Sequence, residues 1–176
     1  MVVNKGKTIF VGDTSVHEYP SSEQLSQIAI SSARVVRLFG FDPKVAFVSH
    51  STFGQPLTSR TKHIKEAVDI LKEKNVNFEF DGDMQPDVAL DEEYKSLYPF
   101  SKIVGNANIL IMPGQHSAAI SYKMLKTFGD TKVIGPLLIG LGLPIEIAPL
   151  RSSVSEIINL ASIAAYSADV IKYKKN

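Results

Sequence analysis

Short apolar runs recur along the chain, and longer segments with apolar residues at helical spacing separate them. Three of the runs are typical of buried strands: Thr8 to Val11, Lys44 to Ser49, and Ala107 to Met112. A fourth segment, Asn77 to Phe80, alternates between polar and apolar residues, as strands do. Glycines and prolines interrupt the apolar segment from Lys132 to Ala148, which predicts two further short strands around turns.

Four helices are predicted between and after these strands. They start after Ser21 and end at Gly40, span Ser59 to Lys74, run through Tyr122 to Phe128, and extend from Ser153 to Val170. Ser21 with Gln24, and Ser153 with Glu156, have capping-box spacing. Strands that alternate with helices indicate an α/β domain, which we expect to be a three-layer, open and largely parallel sheet with flanking helices.

Composition and charge narrow the class of protein. The 176 residues are 44% hydrophobic and 21% charged, with a net charge of +1, which suits one domain with a full core. No clustered basic field is present for nucleic acid, and the lack of cysteine excludes disulfides and thiolate sites. The N-terminus lacks a signal-peptide core, and the apolar segment is too short to span a bilayer. We expect a cytoplasmic protein without nucleic-acid or membrane partners, and a piece of a longer polypeptide because the chain opens on a strand.

The segment "VAFVSHSTFGQPLTSR" joins a strand, a polar loop and a helix start, the arrangement of a phosphate-binding loop. In this serine loop, residues 49–54, Ser49, Ser51 and Thr52 offer hydroxyl groups and Gly54 allows close backbone approach. Ligands of open α/β sheets bind at the carboxyl ends of strands, where this loop lies. A polar turn with a helix cap explains the same residues equally well. Neither a P-loop nor G-x-G-x-x-G is present, so the segment is not predicted to bind nicotinamide cofactors.

Six carboxylates lie from Asp81 to Glu93. Carboxylates in pairs or clusters can bind a metal ion or act as an acid–base pair. A turn at Asp81-Gly82 and a solvated helix start near Pro86 explain them without a ligand. We favour that interpretation and predict no metal site. None of the four histidines has metal-ligand spacing, and His50, inside the serine loop, is placed to contact a ligand.

Two cations lie near predicted elements where an anion would bind. Lys123 follows Tyr122 on a predicted helix, and Arg151 precedes the capping Ser153 of the last helix. Each has a plain alternative as an exposed surface cation. Glu156 has a structural role as the capping-box residue and needs no catalytic role.

Six stretches taken together resemble the C-terminal part of the phosphate acetyltransferase family, especially the version fused to the C-terminus of bacterial NADP-dependent malic enzymes. They are "VSHSTFG", "FDGDMQPDVAL", "YPFSKIVGNANILIMP", "SYKMLK", "IGPLLIGLGLPIEI" and "SSVSEIINLASIAA". The resemblance extends from about Thr8 to Asp169, and it rests on the occurrence of all six stretches in the same order as in the family.

The resemblance implies an α/β fold of two lobes, with the acyl-CoA and phosphate site in the cleft between them and dimerisation through this region. Active members transfer an acetyl group between CoA and phosphate. Their Ser-Arg-Gly motif lies just before the last helix, where the arginine contacts the anionic ligands. An aspartate near the start of that helix acts as the base on the CoA thiol.

This sequence departs from the family pattern at its catalytic positions. With no gap in the register, Pro149 stands at the motif's serine, Leu150 at its arginine and Arg151 at its glycine. Glu156 stands at the aspartate position, and Ala119 replaces an asparagine of the earlier helix. We therefore predict no catalytic residues and a crippled acetyl transfer.

The ligand-binding parts match the family better, at Ser49, Ser51, Gly54, Asp81-Gly82 and Tyr122-Lys123. The chain, residues 1–176, is therefore predicted to be a domain that binds acetyl-CoA, with Thr52, Lys123 and Arg151 also at the site. It would regulate and help assemble an NADP-dependent malic enzyme, which converts malate to pyruvate and CO2. A homodimer or higher homo-oligomer is expected.

The NADP and the Mg or Mn of such an enzyme would belong to an N-terminal part outside these residues. The alternative is an active phosphate acetyltransferase. In that case Arg151, shifted by one residue, replaces the missing arginine and Glu156 replaces the aspartate base.

Overall fold

The computed structural model describes residues 1–128 and 130–173 of the chain. In this part of the chain the strands are β1 (Val2–Asn4), β2 (Lys7–Gly12), β3 (Lys44–Val48), β4 (Glu79–Met84), β5 (Ile109–Ile111) and β6 (Lys132–Val133). The helices are α1 (Ser22–Leu38), α2 (Ser59–Glu73), α3 (Pro86–Leu90), α4 (Glu92–Ser96), α5 (Gln115–Thr127) and α6 (Val154–Tyr173). Helices alternate with most of the strands, as the apolar pattern predicted.

The strands form a single sheet in the order β4-β3-β5-β2-β1-β6. The pairs β3–β4, β3–β5 and β2–β5 are parallel, whereas β1 pairs antiparallel with β2 and β6. The open, largely parallel sheet is therefore confirmed. The sequence did not reveal β1, because three residues before a tight turn at Lys5-Gly6 leave no periodic signal.

Two apolar cores lie on the two faces of the sheet. One core joins α1 and α2 to the strands through Leu25, Ala29, Val36, Phe47, Ile64, Leu71 and Ile109. The other joins α3 and α5 to the opposite face through Ala46, Val48, Val88, Ala89, Leu110 and Ala118. The predicted three-layer arrangement is confirmed, with helices on both faces as a parallel sheet requires.

Both predicted capping boxes are present. The Ser21 amide donates to Gln24 Oε1 at 2.7 Å, and the Gln24 amide donates to Ser21 Oγ at 3.2 Å. The Ser153 amide donates to Glu156 Oε2 at 2.7 Å, and the Glu156 amide returns a bond to Ser153 Oγ at 3.3 Å. These reciprocal bonds fix where α1 and α6 begin. Within the described residues, no helix has the length and apolar character needed to cross a membrane.

The turn predicted at Asp81-Gly82 is wrong, because both residues lie inside β4. Gly82 pairs with Phe47 and Met84 pairs with Val48, so Asp83 is an extra residue that forms a bulge. Gly82 lies so close to β3 that a Cβ on it would be 2.7 Å from the Phe47 carbonyl oxygen. Pairing with β3 thus overrides the polar, turn-like composition of this segment.

The prediction of two short strands between Lys132 and Ala148 is confirmed for the first strand and wrong for the second. Lys132–Val133 forms β6, and residues 134–148 have irregular backbone in the structure. Prolines cannot donate a ladder hydrogen bond and glycines weaken strands, so this segment cannot extend the sheet. The Leu138 amide instead donates to the Glu146 carboxylate at 3.2 Å, which joins two parts of the segment.

Candidate functional site

The parallel strands end at one edge of the sheet, where the loops that follow them meet. β2 ends at Gly12, β3 at Val48, β4 at Met84 and β5 at Ile111. Ligands of open parallel sheets bind at this edge. The serine loop follows β3, as predicted, and a second polar loop, residues 13–20, follows β2. This edge is therefore the candidate site.

Asp83 holds the serine loop from the neighbouring strand. Its carboxylate accepts hydrogen bonds from the Ser51 hydroxyl and, at 3.0 Å, from the Gly54 amide. Its carbonyl oxygen accepts a third from the Phe53 amide at 2.6 Å. Ser51 and Asp83 are both buried. Asp83 thus shapes the loop, although sequence reasoning placed it among solvated carboxylates.

Other polar groups of the serine loop also pair within the chain. The Thr52 and Gln55 amides donate to each other's carbonyl oxygens at 3.4 and 3.2 Å. The Thr52 hydroxyl accepts from the Gln85 amide at 3.2 Å. Ser49 is half-buried and His50 is exposed. An anion bound here would therefore meet a hydroxyl and an imidazole, since the amides from Thr52 to Gln55 already have acceptors.

The carboxylates from Asp81 to Glu93 serve the backbone around them. Asp81 accepts a hydrogen bond from the Lys102 amide at 2.7 Å, and Asp91 caps α4 by accepting from the Glu93 amide at 2.8 Å. Among the described residues, no three His, Asp or Glu side chains are grouped so as to hold a metal ion. A helix does begin at Pro86 as predicted, but the turn is wrong, and Asp81 and Asp83 are buried. The absence of a metal site stays a prediction.

A pocket of about 320 Å³ lies at the end of β2, between α1 and the irregular segment after β6. Its mainly apolar walls include Val2, Phe10, Ile28, Pro136, Leu137 and Leu138. Its polar residues include Asp13, His17, Gln24, Gln27 and Ser31. Gly12 also lines the pocket and brings α1 close, since a Cβ there would lie 3.0 Å from Ser32 Oγ. The serine loop contributes nothing to this lining.

Asp13 and His17 form a hydrogen-bonded pair in the pocket lining. Asp13 Oδ2 lies 2.5 Å from His17 Nδ1, and the carboxylate accepts from the amides of Ser15, Val16 and His17. Partial burial raises the pKa of Asp13, but these hydrogen bonds outweigh burial and hold the pKa below its usual value. Sequence reasoning missed this pair, although Asp-x-x-x-His directly after a strand was a visible signal.

The predicted cations Lys123 and Arg151 lie on separate exposed segments. Lys123 is on α5, Arg151 is in the turn before α6, and neither lines the pocket. Tyr122, next to Lys123, does line it. The structure thus distributes the predicted ligand-binding residues over the serine loop, α5 and the turn. Their common role toward one ligand stays a prediction.

Two contacts hold the Glu156 side chain at the start of α6. Its carboxylate accepts from the Ser153 amide at 2.7 Å and lies 2.6 Å from Lys126 Nζ. Lys126 and then Ser153 lower the pKa of Glu156 to about 2. Such a carboxylate is a weak base for a thiol proton. At the motif positions, Pro149 carries no polar side chain and the aliphatic Leu150 is fully exposed.

Comparison with known protein families gives a match over most of the chain. Residues 1–165 match the family model described as phosphate acetyl/butaryl transferase. An NADP-dependent malic enzyme of Rhizobium meliloti is 46% identical over 164 residues, which cover 93% of this chain and 22% of that protein. A phosphate acetyltransferase of Clostridium acetobutylicum is 35% identical over 91% of this chain and 49% of its own length. The chain thus spans about a fifth to a half of these relatives.

Solved structures show the same fold. The EutD phosphotransacetylase from Staphylococcus aureus superposes with a TM-score of 0.87 at 28% identity, over 95% of this chain and 52% of that one. A phosphotransacetylase from Streptococcus pyogenes gives 0.83 at 32% identity, over 90% and 49%. The α/β sheet with flanking helices is therefore the architecture found in about half of a phosphotransacetylase chain.

Proposed function

The chain belongs to the phosphate acetyl/butaryl transferase family, and from this premise we propose that it is a regulatory, acetyl-CoA-binding domain. It would form the C-terminal part of a cytoplasmic NADP-dependent malic enzyme and lack acetyl-transfer activity of its own. The similarity to malic enzymes, 46% identity with that of Rhizobium meliloti, supports the identity of the parent protein. The parent would decarboxylate malate to pyruvate with NADP and Mg or Mn held outside these 176 residues.

The proposal that the chain binds acetyl-CoA without transferring its acetyl group rests on the contacts and the pKa of the Glu156 carboxylate. At the position of the expected base, this carboxylate caps α6 and pairs with Lys126, which leaves its pKa at about 2. Deprotonating a thiol requires a base whose pKa is much closer to that of the thiol. The exposed Leu150 at the arginine position supplies no charge for an anionic transition state.

Ligand binding would use the serine loop together with the exposed cations. Ser49 and His50 present polar groups at the end of β3, and Lys123 and Arg151 supply positive charge for the phosphates of acetyl-CoA. Regulation would require acetyl-CoA to favour one arrangement of the parent enzyme over another by roughly 1–3 kcal/mol.

Assembly would use the apolar surface of α5, α6 and the segment between β6 and α6. Large side chains exposed there include Ile120, Phe128, Leu143, Leu150, Val154 and Ile158. Large apolar patches on a protein surface mark interaction sites. We assign this surface, the α5–α6 face, to a homodimer or higher homo-oligomer.

Two measurements on one preparation test the proposal. Calorimetric titration should detect acetyl-CoA binding, whereas a coupled assay with acetyl phosphate and CoA should give no turnover above background. The Clostridium acetobutylicum phosphate acetyltransferase serves as the positive control. Robust acetyl transfer by the wild type that is lost in the Arg151→Ala variant would contradict the regulatory proposal.

The alternative function is phosphate acetyl transfer by the chain itself. Its support is the exposed Arg151 beside the motif and the 35% identity to the Clostridium acetobutylicum enzyme. It requires Arg151 to act for the missing arginine and Glu156 to act as base. The low pKa of Glu156 weighs against the second requirement.

A further inference from the structure

Three of the four histidines of the chain lie in or against one loop, residues 13–20 after β2. His17 lies in loop 13–20, His63 contacts it from α2, and His116 contacts it from α5. Residues 13–17 of the loop also line the pocket beside α1. Histidine is the side chain that changes charge near neutral pH, so this loop is a place where pH can act on the fold.

His63 joins loop 13–20 to both α1 and α2. Its Nε2 lies 2.7 Å from the Pro20 carbonyl oxygen, and its Nδ1 lies 2.9 Å from Ser22 Oγ. The Ser22 hydroxyl also donates to Glu66 Oε2 at 3.0 Å. Ser22 is buried at the start of α1, and Glu66 is on α2, three residues beyond His63. One buried hydroxyl thus connects an imidazole with a carboxylate.

The protons available in this network determine which form of the imidazole fits it. Carbonyl and carboxylate oxygens can only accept, so Nε2 donates to Pro20 and the single hydroxyl proton of Ser22 goes to Glu66. Ser22 Oγ is then an acceptor for a proton on Nδ1. Only the imidazolium, with a proton on each ring nitrogen, makes all three hydrogen bonds. With a neutral imidazole, His63 and Glu66 compete for one hydroxyl proton, and one contact is lost.

We infer that loop 13–20 is a pH-responsive loop, which is held against α1 and α2 when His63 is protonated and loosens when His63 loses its charge. This response requires no bound acetyl-CoA and is separate from the proposed function. The stabilisation is complete at low pH and is lost as the pH rises through the range, about pH 5 to 8, in which imidazoles change charge. Because residues 13–17 line the pocket, a looser loop would change the wall of that pocket.

The other two histidines of this loop act in the same direction with less effect. His17 Nδ1 lies 2.5 Å from Asp13 Oδ2, but this pair is within the loop and does not hold it to a helix. His116 Nε2 lies 3.3 Å from Glu18 Oε1, and their side chains are 69% and 62% exposed, so water and salt screen this pair. The attachment of the loop to α1 and α2 therefore depends mainly on His63.

Two further charged groups affect the balance. The Glu23 carboxylate, in the first turn of α1, interacts with the charge of His63 and favours the imidazolium. The Met1 ammonium lines the same pocket but donates to the Ile134 carbonyl oxygen at 2.9 Å. Burial lowers the pKa of this ammonium to about 6, so its titration stabilises the fold as the pH rises, opposite to His63. Comparison of variants that all retain Met1 removes this contribution.

Thermal unfolding of the ligand-free chain at about pH 5.5 and about pH 8 tests the charge of His63. His63→Gln keeps a hydrogen-bond donor but cannot become charged. A hydrogen bond from a charged donor is the stronger one, so we expect His63→Gln to lower Tm by about 2–4 °C more at the lower pH than at the higher. His50→Gln, at an exposed histidine of the serine loop, is the control and should show no such difference.

A second variant tests whether Ser22 transmits the effect. Ser22→Ala removes the hydroxyl that links the imidazole to Glu66. In a Ser22→Ala background, the Tm loss caused by His63→Gln should therefore be nearly the same at both pH values. If His63→Gln fails to fold, Glu66→Gln replaces it, because Glu66 is exposed and its loss removes the charge that the imidazolium is paired with through Ser22.

Amide hydrogen exchange tests whether the loop itself responds. The Ser15, Val16 and His17 amides donate to Asp13 and report on the order of loop 13–20. After correction for the intrinsic effect of pH on exchange, they should be at least about threefold more protected at the lower pH. This difference should be lost in His63→Gln and kept in His50→Gln.

The outcomes are independent of ligand binding. A Tm loss in His63→Gln that is equal at both pH values would overturn the inference. Loop amides whose protection is the same at both pH values would overturn it as well, even if the Tm loss depends on pH. A chain that does not bind acetyl-CoA would contradict the proposed function and leave the pH response of loop 13–20 unaffected, because every measurement uses the ligand-free chain.

Discussion

At the scale of single residues, the shape of the serine loop depends on the buried carboxylate of Asp83. Asp83→Ala would leave the Ser51 hydroxyl and the Gly54 amide without their acceptor, so we expect a loss of about 3 kcal/mol in the free energy of unfolding. Urea denaturation measures this loss. Asp42→Ala, at an exposed aspartate, is the control and should stay within about 0.5 kcal/mol of the wild type. Equal stability of the two variants would contradict the role of Asp83.

The role of Asp83 was hidden in the sequence for a physical reason. The bulge that turns it toward the serine loop exists only once β4 has paired with β3. The serine loop itself was placed correctly, because a strand followed by a polar segment and a helix is a local pattern. Asp13 and His17 could be predicted in part. Their spacing is a local feature of the sequence, but the pocket beside them forms only when α1 and residues 133–139 come together in the fold.

Glu156 leads to a prediction about pH. Its folded-state pKa of about 2 lies below the ordinary 4.5, so its stabilising contribution is complete above the unfolded-state pKa and is lost as the pH falls toward 2. Wild type should therefore have a higher Tm than Glu156→Gln near neutral pH. The difference should shrink once the pH drops below the ordinary pKa and nearly vanish by about pH 2.

Thermal unfolding of wild type and Glu156→Gln across this pH range measures the effect. Lys126→Met is the control background, because Lys126 is the largest cause of the low pKa. In that background, Glu156→Gln should change Tm less at neutral pH. A Tm difference that does not depend on pH would show that Glu156 contributes no charge-dependent stability.

At the scale of elements, local signals located α1, α2 and α6 well, did not predict α4, and located the strands less well. α1 and α6 begin at the predicted capping boxes. The residues that cap the start of a helix are close together in the sequence, so the pattern can be recognised without the fold. β4 extends through Met84, past polar residues that resemble a turn, because its pairing with β3 is a long-range interaction. The irregular segment 134–148 was predicted to contain a strand because of its apolar content. Apolar content does not show that the prolines of this segment lack the N–H that a sheet hydrogen bond needs.

The contact between β3 and β4 makes Gly82 a sensitive position. A Cβ there would lie 2.7 Å from the Phe47 carbonyl oxygen, and its φ of +148° disfavours other residues. Gly82→Ala should therefore lower the free energy of unfolding by about 3 kcal/mol in urea denaturation. Gly142→Ala is the matched control, since nothing lies within 4 Å of its added Cβ. A Gly82→Ala variant as stable as Gly142→Ala would show that β4 does not hold this close register.

At the scale of the whole molecule, the chain has two kinds of surface. The strand-end edge carries the polar loops and the pocket, whereas the α5–α6 face carries large exposed apolar side chains. This separation would let one chain bind a ligand and a second copy at the same time. If the chain does bind a ligand and a second copy, α5 would connect the two surfaces, because its Tyr122 lines the pocket and its Ile120 is exposed on the α5–α6 face.

The α5–α6 face leads to the last prediction, which concerns assembly. Sedimentation equilibrium of the wild type should give at least twice the mass of one 19.3 kDa chain. Phe128 and Ile158 are 77% and 59% exposed on this face, so Phe128→Asp with Ile158→Asp should shift the mass to that of one chain. Buried charges without partners at an interface cost several kcal/mol, enough to dissociate an ordinary dimer. Leu57→Asp, at a residue that is 67% exposed beyond the serine loop, is the control and should leave the assembly unchanged. A monomeric wild type, or a double variant that still assembles, would remove the α5–α6 face as the interface.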